Sequence, residues 1–456
     1  MSDLFAALNS ASGALRAIQT ALDVTQNNVS NSQTPGYAKQ VPSFDAVSFQ
    51  PEHGLAGGVV AGPTQDTRSQ FAEIAVRQQV SLLGASSQLA TSLDPIEQVL
   101  SVSDKNSISS ALDALFQSFS AWSSNPNDVN ARSSVLNAAA GVATAFRQST
   151  TRLDRIRSSV DSDLRTTVAS INRIAADIQK YNAARNSSTP DAGLDAQKNA
   201  ALEQLSQLGD VQALTAADGT ITVLLGGQVP LVTGDQLHKI GLSSTSSGLP
   251  TIVDENGGDV TQKISDGQLG ALLSVRNQIL PRLIGGPSDA GELNALASQV
   301  ADAVNDVFTA AGGQKLFTYD SSSPKVAAST FSVAAGLQPT DLVAAEAGPP
   351  PVSNGVPLKL GELATSALTG LSGMTFSQFY ASSASWIGSQ LSQAQAASQA
   401  QTQTTAQARA LRQQLSGVSL DEEATRLMEL QRSYQAASRM VTVLDGLTQN
   451  IIDMIH

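Results

Sequence analysis

Cysteine is absent from the 456-residue chain. That removes disulfide scaffolds, cysteine nucleophiles and thiolate metal sites together. Histidine occurs only at His53, His238 and His456, too far apart in sequence to suggest a ligand cluster. No Asp/Asn/Gly loop has calcium-hand spacing, so neither metal nor cofactor is expected. Charged residues make up 14% and aromatics 4% of the chain, where an ordinary globular protein carries about 25% charged residues. The net charge of −12 and the lack of any Lys/Arg run argue against nucleic acid as a partner. No apolar run is long enough to span a bilayer, so no membrane partner is expected. The start, Met1-Ser2-Asp3-Leu4, lacks the basic and apolar regions of a cleavable signal peptide. Composition alone therefore points to a soluble cytosolic protein, long enough for two to four domains of about 100–200 residues each.

Proline is present but confined. All 17 prolines lie between Pro35 and Pro357, leaving residues 1–34, 127–189 and 358–456 free of it. Because proline breaks helix interiors, these three windows are free to be helical. In the first, Leu4, Leu8, Ala11, Leu15, Ile18, Leu22, Thr25 and Val29 alternate by four and three, a heptad seam. In the last, Leu420, Leu427, Tyr434, Val441, Thr448 and Ile455 recur every seven residues, with Leu430, Ala437, Leu444 and Ile451 at the second seam position. Ser419 as N-cap and Glu422 three residues on predict a capping box, with Asp421 and Glu423 also in the first turn. A second long helix is expected over 381–416, joined to the last near Gly417. Such narrow apolar stripes stay wet unless something covers them. Either the two termini pack on each other, and on neighbouring copies, or the chain forms an ordinary helical bundle within one monomer.

In the middle, Asp94-Pro95-x-Glu97 reads as a helix start for 94–122, and 128–185 reads as one long helix. A short helix over 195–208 precedes strands at Val211–Thr215, Ile221–Leu225 and Val229–Thr233, with Leu237–Leu242 and Thr251–Val253 continuing the pattern. Helix returns at 266–283 and 291–311. The fold class is thus mainly α with a small β insert. Between 190 and 360 there are 17 Asp/Glu against 8 Lys/Arg, so the acid sits in the insert and its surroundings, read as a solvated surface.

No catalytic constellation assembles. Asp421-Glu422-Glu423 opens a helix rather than flanking a cleft, the Gly-rich pieces lack phosphate-loop spacing, and no Gly-x-Ser-x-Gly elbow is present. One motif stands apart: Asn27-Asn28-Val29-x-Asn31-x-x-Thr34-Pro35-Gly36-Tyr37. Pro35 and Gly36 stop the helix, but an Asn-rich stretch on an apolar seam costs helix stability. The amides are therefore expected to bond to something.

These residues resemble the N-terminal signature of the bacterial flagellar rod, hook and hook-associated proteins. Ser416-Gly417-Val418-Ser419-Leu420-Asp421-Glu422-Glu423-Ala424, followed by Leu430-Gln431-x-x-Tyr434, is similar to the C-terminal end of the same family, in the form of its hook-associated members. Ser419 stands where the family often has Asn, and both residues cap helices. The chain is short for the family, so a second outer domain of longer members is expected to be absent.

The resemblance implies an elongated, non-enzymatic axial subunit at the hook–filament junction. Residues 1–60 with 400–456 would form a terminal coiled-coil inner domain, 61–192 with 264–399 a helical middle domain, and 193–263 a small antiparallel β outer domain. It further implies export of the unfolded chain by the flagellar type III apparatus to an extracellular location. The implied partners are copies of itself in a ring, the hook protein, the second junction protein and a cytosolic export chaperone on the C-terminal helix. Another axial role, in the hook or distal rod, or a surface-binding or enzymatic module on the β insert, is the alternative.

Overall fold

The computed structural model describes residues 2–50, 55–102, 104–187, 191–216, 218–246, 248–287, 289–348 and 350–455. His53 and His456 lie outside them, as does the side chain of Ile455.

Chain order begins with α1 (Ser2–Ser30), a ribbon of β1 (Gln40–Gln50) and β2 (Leu55–Asp66), then α2 (Gln70–Leu100), α3 (Ile108–Ser124), α4 (Val129–Ser187) and α5 (Ala192–Leu208). The β unit follows as β3 (Val211–Thr215), β4 (Ile221–Leu225), β5 (Val229–Thr233) and β6 (Gln236–Leu237) in one antiparallel sheet, and β7 (Gly241–Ser244) with β8 (Pro250–Val253) in a second. Helix resumes with α6 (Gly267–Ser274), which runs through a π-helical turn (Val275–Ile279) into α7 (Leu280–Ile284), and then α8 (Glu292–Ala310). The short elements β9 (Phe317–Thr318), α9 (Ala327–Thr330), β10 (Ser332–Val333) and α10 (Gly355–Glu362) lead into α11 (Phe376–Ser416) and α12 (Leu420–Ile455). At 59 residues, α4 is about 88 Å long at 1.5 Å per residue, which makes it the longest element and sets the elongated form.

The few aromatic residues are concentrated. Phe116 and Phe119 (α3), Trp122, Phe146 (α4), Phe308 (α8), Phe317, Phe331 and Phe376 are buried in the helical middle. Trp122 stacks on Phe308 at 6.3 Å, and Phe331 lies 4.8 Å from Phe317 and 5.1 Å from Phe146. Low aromatic content thus coexists with one aromatic-rich core; the terminal helices are packed with Ala, Leu and Val instead. Along α4 one face, from Val135 through Phe146, Leu153 and Leu164 to Ile178, is buried throughout.

The segment around Pro95 corrects the sequence reading. It is not a helix start: α2 begins at Gln70 and carries Pro95 inside its last turns. Proline in a helix interior costs about 3 kcal/mol, but Leu93, Ile96 and Leu100 around it are fully buried, each contributing about 1.5–3 kcal/mol. Burial wins, and the true break falls after Leu100. The β ribbon at 40–66 was not read, because Pro42, Pro51 and Pro63 demote it as a strand; it survives as an isolated two-stranded ribbon laid along α1. Contact is close there: a methyl on Gly13 would sit 3.1 Å from the Val59 carbonyl oxygen. Helix α5 packs mainly on α2 and α4 and touches β3, and the last part of α11 packs on α2.

Four helix-borne asparagines recur as joints. The Asn172 and Asn182 amides each bond both the N–H and the C=O of one residue, Ile240 and Ile221, at 2.8–3.0 Å. Asn305 does the same for Phe317, and Asn28 for Gln40. A primary amide offers a donor and an acceptor side by side, as a neighbouring strand would. Each of these side chains therefore ties an extended segment to a helix flank and satisfies backbone groups that would otherwise be orphaned.

Helices α2 and α11 run antiparallel. Ser69 caps α2 by accepting from the Ala72 N–H at 3.3 Å, and its own N–H donates to Ser416 Oγ at 2.9 Å. Replacement Ser69→Ala is expected to cost about 1 kcal/mol, measurable as a lower thermal midpoint of the full chain.

Candidate functional site

The site is the joint where α1 ends and α12 begins. The first turn of α12 lies against the last turn of α1, and the two helices pack along each other from there, so they run antiparallel. Gly36, at φ +76°, turns the chain out of α1. A Cβ there would fall 2.3 Å from the Ala196 carbonyl oxygen on α5, so only glycine fits this approach.

Asn28 is 1% exposed and fully engaged. Its amide nitrogen donates to Gln40 O at 2.8 Å and to Glu423 Oε2 at 3.1 Å. Its oxygen accepts from Gln40 N and from the Tyr37 hydroxyl, both at 2.9 Å. The single Tyr37 hydroxyl hydrogen is shared with Asn27 Oδ1, also at 2.9 Å, which takes a bond from Asn31 Nδ2, and Asn31 Oδ1 accepts from Thr34. Burial, and the Glu423 charge, push the Tyr37 phenol up to about 12, so it stays protonated as a donor. Asn27, Asn28, Asn31, Thr34 and Tyr37 thus form one hydrogen-bonded knot, Pro35 and Gly36 supplying its turn.

Glu423 is equally buried, at 1% exposure. Lys39 Nζ lies 3.0 Å from Glu423 Oε1 and 3.1 Å from Glu422 Oε2. Lys39 is the ion-pair partner of Glu423 Oε1, which meets no other polar partner among the described residues. Burial lowers the Lys39 pKa, but the bonds and charges of Glu423 and Glu422 outweigh it and the net shift is upward. The capping box is half made. Ser419 Oγ accepts from Glu422 N at a long 3.5 Å, while the Glu422 carboxylate turns to Lys39 instead of back to Ser419. Asp421 stays exposed at the positive end of α12.

Sequence reasoning missed the ionic chain behind this joint. Arg68 donates to the Gly36 carbonyl at 2.8 Å and to Glu73 at 2.7 Å; Arg412 lies 3.4 Å from Glu73 and 2.7 Å from Glu203, which also holds Arg409. Its members are spread from 68 to 412, so no local spacing announces them. Burial would raise the Glu203 pKa, but bonds to Arg412 and then Arg409 outweigh it and leave it lowered. A carboxylate held below its unfolded value contributes stability above that value and loses it as pH falls through the folded one. Glu203→Gln is therefore expected to cost on the order of 1–2 kcal/mol at pH 7 and progressively less as the pH falls through the lowered native value. Thermal melts of both proteins across that range check it.

Beyond the joint the seams are half-covered. Leu4, Leu8, Leu15, Ile18, Leu22 and Val29 of α1 are half-buried, as are Leu427, Leu430, Val441 and Leu444 of α12. The fully buried face of α1 is instead Ala11, Ala17, Ala21, Thr25 and Asn28. Leu420, Tyr434 and Ile451 are exposed, and among the described residues of α12 only Glu423 is fully buried. Met440, Val443, Leu447, Ile451 and Met454, spaced by three and four, form a second apolar stripe on the face turned away from α1, each 37–85% exposed.

The comparisons tie these two terminal motifs to the axial proteins of the bacterial flagellum. The sequence family described as flagellar hook-associated protein FlgK helical domain matches residues 93–316. Flagella basal body rod protein matches 8–37, and flagellar basal body rod FlgEFG protein C-terminal matches 412–454. Flagellar hook-associated protein 1 of Bacillus subtilis (strain 168) is 28% identical, covering 99% of each chain. The protein of that name from Salmonella typhimurium is 26% identical over 65% of this chain, which spans only 55% of that longer relative. The solved flagellar hook junction protein FlgK from Burkholderia pseudomallei shares the fold, with a TM-score of 0.65 over 74% of this chain and 99% of that one at 17% identity. The middle of the chain thus carries the FlgK helical domain, and the chain as a whole is similar to flagellar hook-associated protein 1.

Proposed function

We propose that the chain is a structural subunit of the hook–filament junction, completed by packing its terminal helices against other subunits. The observation that carries this reading is the antiparallel α1–α12 pair, fixed at one end by Asn28, Glu423 and Lys39 and left with an uncovered apolar stripe along its outer side. A layer in which α12 fully buries only Glu423 among its described residues is a component rather than a finished core. The names carried by the relatives, hook-associated protein and hook junction protein, indicate the same place.

In this reading the neighbours are further copies in a ring, the hook protein on one side and the second junction protein on the other. Before assembly a cytosolic chaperone covers α12 through Leu427, Leu430, Tyr434, Val441 and Leu444. The chain travels unfolded through the flagellar export channel and acts outside the cell, without catalysis. Immunolabelling of intact flagella tests the placement. A thin labelled zone at the distal end of the hook is expected; label along the whole hook or in the rod would transfer the chain to another axial role.

A further inference from the structure

A cavity of about 140 Å3 lies between the start of α2, α5, the end of α4 and the first two strands of the β unit. Arg68, Arg77, Arg185 and Lys198 line it, against the carboxylates of Asp66 and Asp195. Both acids are already engaged: Lys198 is 2.7 Å and Arg185 3.8 Å from Asp195, and Arg68 is 3.9 Å from Asp66. Arg68 is further committed to Glu73 and to the Gly36 carbonyl. Arg77 is not. It is 8% exposed, yet among the described residues it has no carboxylate within ion-pair distance and no hydrogen-bond acceptor. Burial lowers its pKa, and although Glu73 and Glu203 act favourably on it at longer range, Arg68 and Arg412 oppose them.

The Arg77 guanidinium opens on this cavity with no protein acceptor among the described residues, so its donors are left to whatever the cavity holds. Here it borders a space well above the ~10–15 Å3 that holds one water, among an excess of cations. A planar fork of N–H donors matches the oxygens of a phosphate or sulfate. We propose that this cavity is a binding site for a small inorganic oxyanion, phosphate or sulfate, held chiefly by Arg77 with Arg185 and Lys198 at its rim. The anion would fill the donors of Arg77 and fasten the β unit to α2, beside the joint where the terminal helices attach. It would thereby stiffen the connection between the inner helices and the outer domain.

Thermal melts of the full-length protein test this, with phosphate, sulfate, acetate and chloride compared at matched ionic strength. A ligand that binds only the folded state raises the midpoint saturably. The wild-type midpoint is expected to rise by several degrees in phosphate and sulfate and not in chloride. Arg77→Met removes the stranded charge while keeping the bulk. It should melt higher than wild type in chloride and respond to phosphate at least about tenfold more weakly. Arg165→Gln, an exposed arginine elsewhere on α4, should keep the full response. Should Arg77→Met not fold, Arg185→Gln is read instead and should weaken the phosphate response. The site is overturned by no saturable rise in wild type, by a response to acetate alone, or by an undiminished response in the folded Arg77 or Arg185 variant.

Discussion

Asn28→Ala should destabilise the terminal joint by about 2–4 kcal/mol, the largest loss expected from any single side chain in it. The substitution deletes four hydrogen bonds at once. It strands the N–H and C=O of Gln40 and removes the only hydrogen bond that Glu423 receives from α1, while the carboxylate stays buried. Leaving such groups unpaired costs more than the bonds themselves contribute. Asn28→Asp should be worse, since it keeps the acceptor but sets a second carboxylate against Glu423. Amide hydrogen exchange reads the effect: faster exchange is expected in the last turns of α1 and first turns of α12, with the α4 core unchanged. Uniform loss of protection would mean the joint is not a separate unit.

Combined replacement of Val443 and Leu447 by aspartate should leave the isolated protein nearly as stable as before and abolish its incorporation into flagella. Both side chains are largely exposed, at 62% and 47%, and surface substitutions usually change stability by no more than about 0.5 kcal/mol. If the stripe is covered on assembly, each aspartate must then be buried without a partner, a penalty of several kcal/mol per site that a repeating interface multiplies. Gln435→Glu, on an exposed position of the same helix, serves as the control for added charge. Complementation of a deletion strain separates the outcomes: cells carrying the double variant should be non-motile with the protein produced and folded. Normal filaments would show that this face remains in solvent after assembly.

Much of this was legible before any coordinates, for identifiable reasons. The absence of proline from 127–189 and 358–456 exposed α4, α11 and α12, because long helices tolerate it least. Strands β3, β4 and β5 announced themselves by β-branched runs between glycine turns. The cost of asparagine on the α1 seam indicated that those amides had partners, and Gln40 and Glu423 are those partners for Asn28. What stayed hidden depends on tertiary burial. Pro95 reads as a helix start until Leu93, Ile96 and Leu100 are seen inside the core. The fully buried face of α1 lies where both α12 and the β ribbon press on it, and the ribbon is a partner with no signal in a heptad. The ionic chain through Glu73, Glu203 and Arg412 joins residues more than a hundred positions apart, where periodicity carries no information. Asn172, Asn182 and Asn305 sit within good apolar faces and look like interruptions, yet each fastens one extended segment to its helix.

The junction assignment rests most directly on what the flagellum does without this chain. In a strain lacking its gene, electron microscopy should show complete hooks bearing no filaments, with flagellin exported and lost to the medium, and a plasmid copy should restore filaments. Cells that lack the gene and still carry normal filaments on their hooks would contradict the account.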